Sequence, residues 1–368
     1  MRDNPALASK RLPPVSVPEL QPDLQPNEPT ADAAAPAQAR SRVKMALAWG
    51  LGLALLAWLL HRTPLHEAQD ALARPSATTW LLTLLGLLGS YGLRAARLQV
   101  VLDLDAHHHA ARRWLGLRTD ALRVILMHNA AVNLLPMRAG ELSFPWLAAR
   151  ELNYHVPRAV ACLMWMRLQD LSVLGLLGLL LWPGLPLAWR GVGLLALVAG
   201  WLVLTQGLKR WFAGHPQDIN EAAQGLLGHL SRLRHALMEP AHHRPAAWLL
   251  TLANWALKLA AGAGLLSAIT GAAWVHAWAG ALGGELAAIV PLQGPAGFGT
   301  YEAGVWVGMA TGIGNGLSAT SPALSQAISA ALALHLCFLL CAVLAGLVAL
   351  WLSRTTGKAQ TGSLRSGA

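Results

Sequence analysis

Two interrupted stretches hold the residue types that could do chemistry. The first is Asn133-Leu134-Leu135-Pro136-Met137-Arg138-Ala139-Gly140-Glu141; the second runs from Pro291 through Gly294, Pro295, Gly297 and Gly299 to Glu302. In each, an apolar run stops at Pro, passes through small residues and reaches a Glu before a new apolar run begins. Proline removes an amide donor and clashes with the preceding turn, and glycine loosens the backbone, so neither stretch continues a helix. Free backbone groups cannot face lipid, so such breaks are buried in protein or line a wet cavity. Two breaks in corresponding parts of two halves point to a transport site at a repeat interface.

The chemistry expected there is anion binding. Helices starting after Gly140 and Gly299 would aim their N-terminal amides at the site, which suits a phosphate. Arg138 and Arg167 would hold that phosphate, helped by amides after Gly140 and across Gly297 to Gly299. Asn129 and Asn133, four apart on one helix face, would touch the rest of the ligand. Glu141 and Glu302 either cap the new helices or carry a cation or proton. Arg167 and Asp170, three apart, form either a structural pair within one helix or part of a pathway. Glu285 lies among Gly283, Gly284, Ala287 and Ala288, small residues that permit close helix approach, and reads as a buried carboxyl that is either protonated or charge-balancing. An ionised group at mid-membrane costs about 2.5–3.5 kcal/mol, so each needs a partner, water or a function. Arg94 and Arg97 either snorkel to the interface or bind lipid phosphate, and Lys258 is expected to snorkel.

The elements that position these residues follow from composition. Only 12% of the 368 residues are charged, 55% are apolar, and Ala303 to Ser353 contains no charge. So few charges cannot cover a soluble surface. A soluble enzyme, a disulfide-stapled secreted domain (three Cys) and a nucleic-acid binder are excluded, despite a net charge of +10. The expected fold is an all-α membrane protein. About eight spans fit, near 45–60, 79–101, 157–183, 188–207, 246–269, 272–291, 300–318 and 325–352, with Val124 to Met137 as a re-entrant element. Residues 1–39 read as a disordered Pro/Ala-rich tail, 40–352 as the membrane domain with an amphipathic loop at 209–244, and 353–368 as a disordered tail. Basic clusters at 40–44, 112–123, 209–244 and after Arg354 place these loops and both termini in the cytoplasm. Trp80, Trp182, Trp189, Trp211, Trp248 and Trp351 are expected as interfacial anchors. His107-His108-His109 has no spacing that fixes ligands around a metal, and Cys162, Cys337 and Cys341 read as packing groups, so no metal or cofactor is expected.

The sequence resembles the transmembrane, flippase-like region of bacterial lysylphosphatidylglycerol synthases. Asn133, Pro136, Arg138, Gly140 and Glu141 match one family element, Arg167 and Asp170 a second, and Pro295, Gly297, Gly299 and Glu302 a third, with Ala296 where Gly is common. The resemblance runs over about 45–352. It implies translocation of an anionic phospholipid or lipid-linked intermediate across the bacterial cytoplasmic membrane. Only 16 residues follow Leu352, so a stand-alone member without the aminoacyl-transferase domain is expected, a transporter rather than an enzyme. Its partners would be membrane lipids and a lipid-modifying enzyme. Two rivals are an integral-membrane head-group transferase using Glu141 or Glu302 as base, and a non-catalytic partner that recruits a soluble enzyme through its tail.

Overall fold

Capping residues set the limits of the long helices. The first, α1 (Ala77–Val101), starts where the Ser76 hydroxyl accepts from the Thr79 amide at 3.2 Å. A proline opens α4 (Val156–Leu181) and α6 (Pro245–Thr270), where an amide donor is dispensable. Gly271 closes α6 in the left-handed conformation at φ 68°. These bounds come from a computed structural model, which describes residues 69–104 apart from 71, 113–213, 233, 236–289, 297–313 and 326–365. For 136–138, 211–213, 312–313 and 354–365 it describes the backbone alone. The tail at 1–39, the span at 45–60, His107 to His109, most of the stretch at 209–244 and the loop from Pro291 to Ala296 lie outside the described residues.

The chain is an all-α membrane protein. Among the described residues, four helices are long and apolar enough to cross a bilayer: Val156–Leu181, Leu187–Arg210, Pro245–Thr270 and Ala327–Ser353. They belong to α4, α5 (Leu187–Ala213), α6 and α9 (Ala327–Arg365). Helix α1 is as long, but carries Arg94 and Arg97 in its second half. The only described strands are the pairs Arg113–Trp114 and Leu117–Arg118, a small hairpin before α2.

The first break is a three-part element. Helix α2 (Thr119–Leu134) ends before Pro136, a 3-10 turn covers Pro136–Leu142, and α3 (Ser143–Leu152) follows. Instead of running on as one rod, α3 packs back on α2 and on α4. The second break separates α7 (Trp274–Ala287) from α8 (Thr300–Ile313). Helix α7 has 14 residues, about 21 Å at 1.5 Å per residue, against a hydrocarbon core of about 30 Å, and closes at Ala288. A single full crossing was expected at 272–291; α7 is shorter than that, and it packs closely on α8. Small residues cause this: a Cβ on Gly283 would sit 2.3 Å from the Gly304 carbonyl oxygen, and one on Gly308 2.2 Å from that of Ala279. Only glycine permits so close a backbone contact.

Two boundaries differ from expectation. Helix α5 runs to Ala213, into the stretch read as a loop, because nothing from Lys209 to Ala213 breaks a helix. Helix α9 continues to Arg365, into the expected tail at 353–368; the chain has no proline after Pro322, so a helix already nucleated propagates. The core lies between α1, α2, α6, α7 and α9, with Leu98, Leu259, Leu266, Leu282 and Leu334 fully buried. By contrast α5 stands at the edge, with Leu195 and Val203 each 72% exposed. It is held by Trp201, which stacks on Trp165 of α4 at 5.7 Å and donates to Ser172 Oγ at 2.7 Å.

Candidate functional site

Two long helices carry charge near their midpoints, and those charges line one cavity. Arg167 and Asp170 lie near the centre of α4 and Lys258 near that of α6. Around them is a cavity of about 580 Å³, bounded also by α1, α2, the break before α8, and α9. That volume falls within the range of ordinary small-molecule sites, about 300–1,000 Å³.

Asp170 is the hub. Its Oδ1 accepts from Arg97 Nη1 at 2.5 Å and from Trp255 Nε1 at 3.0 Å, and its Oδ2 from Arg167 Nη1 at 3.3 Å. Arg97 also donates to the Met166 carbonyl at 2.6 Å and is 3% exposed. It therefore does not snorkel: it is a fixed structural counter-ion. Removing one partner from such a buried pair costs about 3–5 kcal/mol, because the other charge is left without compensation.

The first break reaches the cavity through Glu141. Its Oε2 accepts from Arg167 Nη2 at 2.7 Å and Nε at 3.2 Å. Behind it, Ser143 Oγ donates to the Gly140 carbonyl at 2.6 Å and so accepts from His128 Nδ1 at 3.1 Å. That fixes the ring: with its proton on Nδ1, Nε2 is free to accept from Arg167 Nη2 at 3.3 Å. Arg167 is thus held from three sides, and its charge is answered by Glu141 and Asp170 together.

On the opposite wall, Lys258 donates to Glu285 Oε2 at 2.7 Å, with its ammonium 4.6 Å from the Phe338 ring centre and 5.2 Å from that of Trp255. The expectation that Lys258 snorkels fails on geometry. It sits 13 residues into α6, about 20 Å from the helix start, beyond the reach of its side chain. Glu285 is buried as expected, as the ion partner of Lys258. Arg94 completes the wall. Its Nη1 donates to Asn129 Oδ1 at 2.8 Å and its Nε to Asn254 Oδ1 at 3.3 Å.

Of the residues singled out from sequence, Asn129, Asn133, Glu141 and Arg167 meet in the cavity, with Asp170, Glu285 and Gly297. Asn133 turns its amide back to the Asn129 carbonyl at 2.7 Å. Three others serve the fold instead. Gly140 lies flat on α2, where a Cβ would come within 2.3 Å of the Ala131 carbonyl. Gly299, at φ 85°, gives its amide to Glu302 at 2.6 Å rather than to a ligand. Glu302 does not line the cavity: its other oxygen meets His335 Nδ1 at 2.6 Å. It caps α8, one of the two roles expected of it. The side chain of Arg138 lies outside the described residues. Arg94, Lys258, Tyr301 and His335 are cavity residues that spacing alone did not assign to the site.

A multi-pass helical membrane protein with an ion-paired polar cavity amid its spans is the class that this architecture defines. Within it, the chain belongs to the lysylphosphatidylglycerol synthase TM region family, whose profile matches residues 44–346. A comparison with curated proteins finds no significant match. The family points to a role in membrane-lipid biology.

Proposed function

We propose that the protein moves a phosphate-bearing lipid between the leaflets of the bacterial cytoplasmic membrane, with its termini on the cytoplasmic side. The observation that carries this reading is the make-up of the cavity. Cationic Arg94, Arg167 and Lys258 line it, and so do Leu135, Met164 and Leu171, which are 46%, 48% and 49% exposed. A polar head group and an acyl chain have opposite solvent preferences. A cavity polar inside, with apolar side chains open toward the surroundings, meets both at once: the head enters while the tails stay in the bilayer. A soluble phosphate would have no use for the exposed leucines.

The transferase reading finds less support. A general base needs a carboxylate free to take a proton; Glu141 is paired with Arg167, and Glu302 is bonded to the Gly299 amide and to His335 away from the cavity. The test is reconstitution. Purified protein in liposomes is expected to expose inner-leaflet acyl-labelled phospholipid to a membrane-impermeant quencher faster than protein-free liposomes do, and Arg167→Gln to slow that by about tenfold or more, the worth of one charged hydrogen bond. Equal rates with and without protein would end the proposal.

A further inference from the structure

Helix α3 is amphipathic, and the face it turns away from the protein changes character along its length. Phe144, Leu147, Ala148 and Leu152 are buried where α3 packs on α2 and α4. Every fourth residue from Leu142 is exposed instead: Leu142 at 79%, Trp146 at 55%, and Arg150 with 65% of its side chain. The Arg150 guanidinium stands 5.2 Å from the Trp146 ring centre, so these side chains form one outward stripe.

Neighbouring contacts give the stripe its depth. At its outer end, Tyr154, just past Arg150 in the chain, donates to the carbonyl of Leu102, the residue that caps α1, and the bilayer-crossing α4 begins at Val156. At its inner end, Glu141 beside Leu142 meets Arg167, about 17 Å into α4. Half of a bilayer's hydrocarbon core is about 15 Å. The stripe therefore descends from head-group level to the middle of the membrane, with a cation at the top, an amphipathic ring below it and an aliphatic side chain at the bottom. A phospholipid in one leaflet has the matching order of phosphate, ester region and acyl chain. The cation at the top is also in surplus. Around it, Arg118 pairs with Asp120 and Arg123 with Glu151. Arg150 approaches that same Glu151 through Nε at 3.7 Å, so two arginines share one carboxylate.

We propose that the outer face of α3 binds one phospholipid of the bilayer, with its phosphate on Arg150, its ester region against Trp146 and an acyl chain along Leu142. This site is separate from the central cavity, which none of these three side chains lines, and it stands whether or not the protein translocates lipid. If translocation holds, the stripe ends beside Glu141 at the cavity wall and stages a lipid for entry.

Photo-crosslinking tests the site. The full chain in nanodiscs is irradiated with phosphatidylglycerol carrying a diazirine in one acyl chain, and labelled residues are mapped by mass spectrometry. The exposed face of α5 around Leu195 and Val203 measures ordinary lipid contact. Wild-type α3 should carry about fivefold more label than α5, the worth of one basic residue beside an anionic lipid surface. Arg150→Gln should bring α3 down to the level of α5 with no change in melting temperature, because that side chain is mostly exposed, and Arg150→Lys should keep part of the excess. A diazirine diacylglycerol, which lacks the phosphate, should show no excess, and inorganic phosphate should not displace the phospholipid. Equal label on α3 and α5, or an excess that survives Arg150→Gln, overturns the proposal. Displacement by inorganic phosphate also overturns it, making this a site for a free anion. So does less label on α3 than on α5, the result if a second copy of the chain covers the face. If α3 shows the excess in a protein that moves no lipid in liposomes, translocation falls and the docking site stands; if lipid moves and α3 shows no excess, the docking site alone falls.

Discussion

The two breaks look alike in sequence and behave differently in space. Each ends an apolar helix at proline and brings a glutamate to the start of the next. In the first, Glu141 reaches across to Arg167 of α4 and helps line the cavity. In the second, Glu302 is 1% exposed and turns inward, one oxygen on the amide of Gly299 three residues earlier and the other on His335 of α9. The difference is one of reach. Glu302 falls at the third position of α8, where a carboxylate meets the open amides at the start of the helix. Glu141 falls inside a 3-10 turn, before the next helix opens, so its carboxylate is free to find a partner on another element. One motif has become a fold-closing cap and its counterpart part of a cavity wall.

Glu302→Ala tests the contrast with the largest expected effect. It removes the cap of α8 and the acceptor beside a buried imidazole at once, and should destabilise by about 2–4 kcal/mol. Thermal melts of the protein in detergent read this as a large drop in midpoint. Glu141→Gln should separate the two breaks most clearly. The amide keeps an acceptor for Arg167, which also retains Asp170, so the loss should stay below about 1.5 kcal/mol while lipid transport falls by tenfold or more. Equal melting losses for Glu302→Ala and Glu141→Gln would mean that the two glutamates do the same job.

How far the sequence reveals this arrangement depends on how local each cause is. The long helices were legible: expected spans at 79–101, 157–183 and 246–269 compare with Ala77–Val101, Val156–Leu181 and Pro245–Thr270, because apolar runs and prolines act within a turn or two. The two breaks were legible for the same reason. Partner choice was not. Arg167 and Asp170, three apart, read as a pair, yet the shorter contact of Asp170 is with Arg97, 73 residues away, and that of Arg167 with Glu141. Lys258 read as snorkelling, and Arg97 as snorkelling or lipid-binding, because their depth depends on where the helices begin and on what packs beside them. The close packing of α7 on α8 was hidden because hydropathy measures apolarity and carries no sign of two backbones touching at Gly283 and Gly308.

Ser143→Ala probes the first break more gently. The hydroxyl links the His128 ring to the Gly140 carbonyl, and so fixes which ring nitrogen faces Arg167. Its loss should cost about 0.5–1.5 kcal/mol and slow transport only modestly, since Glu141 and Asp170 still hold the guanidinium. A transport loss as large as that of Glu141→Gln would make the histidine, rather than the carboxylate, the main support of Arg167.

The smallest effect concerns the conditions under which the two breaks are compared. His242, in the 3-10 turn Pro240–His243 before α6, is fully buried, its Nε2 3.0 Å from the Ala236 carbonyl. Burial holds this ring below the ordinary imidazole range, and the more exposed His243 beside it is shifted in the same direction, chiefly by the same cause. A ring kept neutral in the folded protein takes up a proton in the unfolded chain once the pH drops below about 6.5. The unfolded state then binds more protons, so stability falls as acid is added, and above that pH the contribution is constant. Melting midpoints should therefore drop from pH 6.5 toward pH 5.5 in wild type, Glu141→Gln and Ser143→Ala alike, and His242→Gln should flatten that slope. Because this turn lies outside both breaks, the gap between the Glu302 and Glu141 variants should remain the same above pH 7, where the histidines add nothing. A gap that changes with pH there would trace the contrast to protonation within the breaks rather than to the reach of their carboxylates.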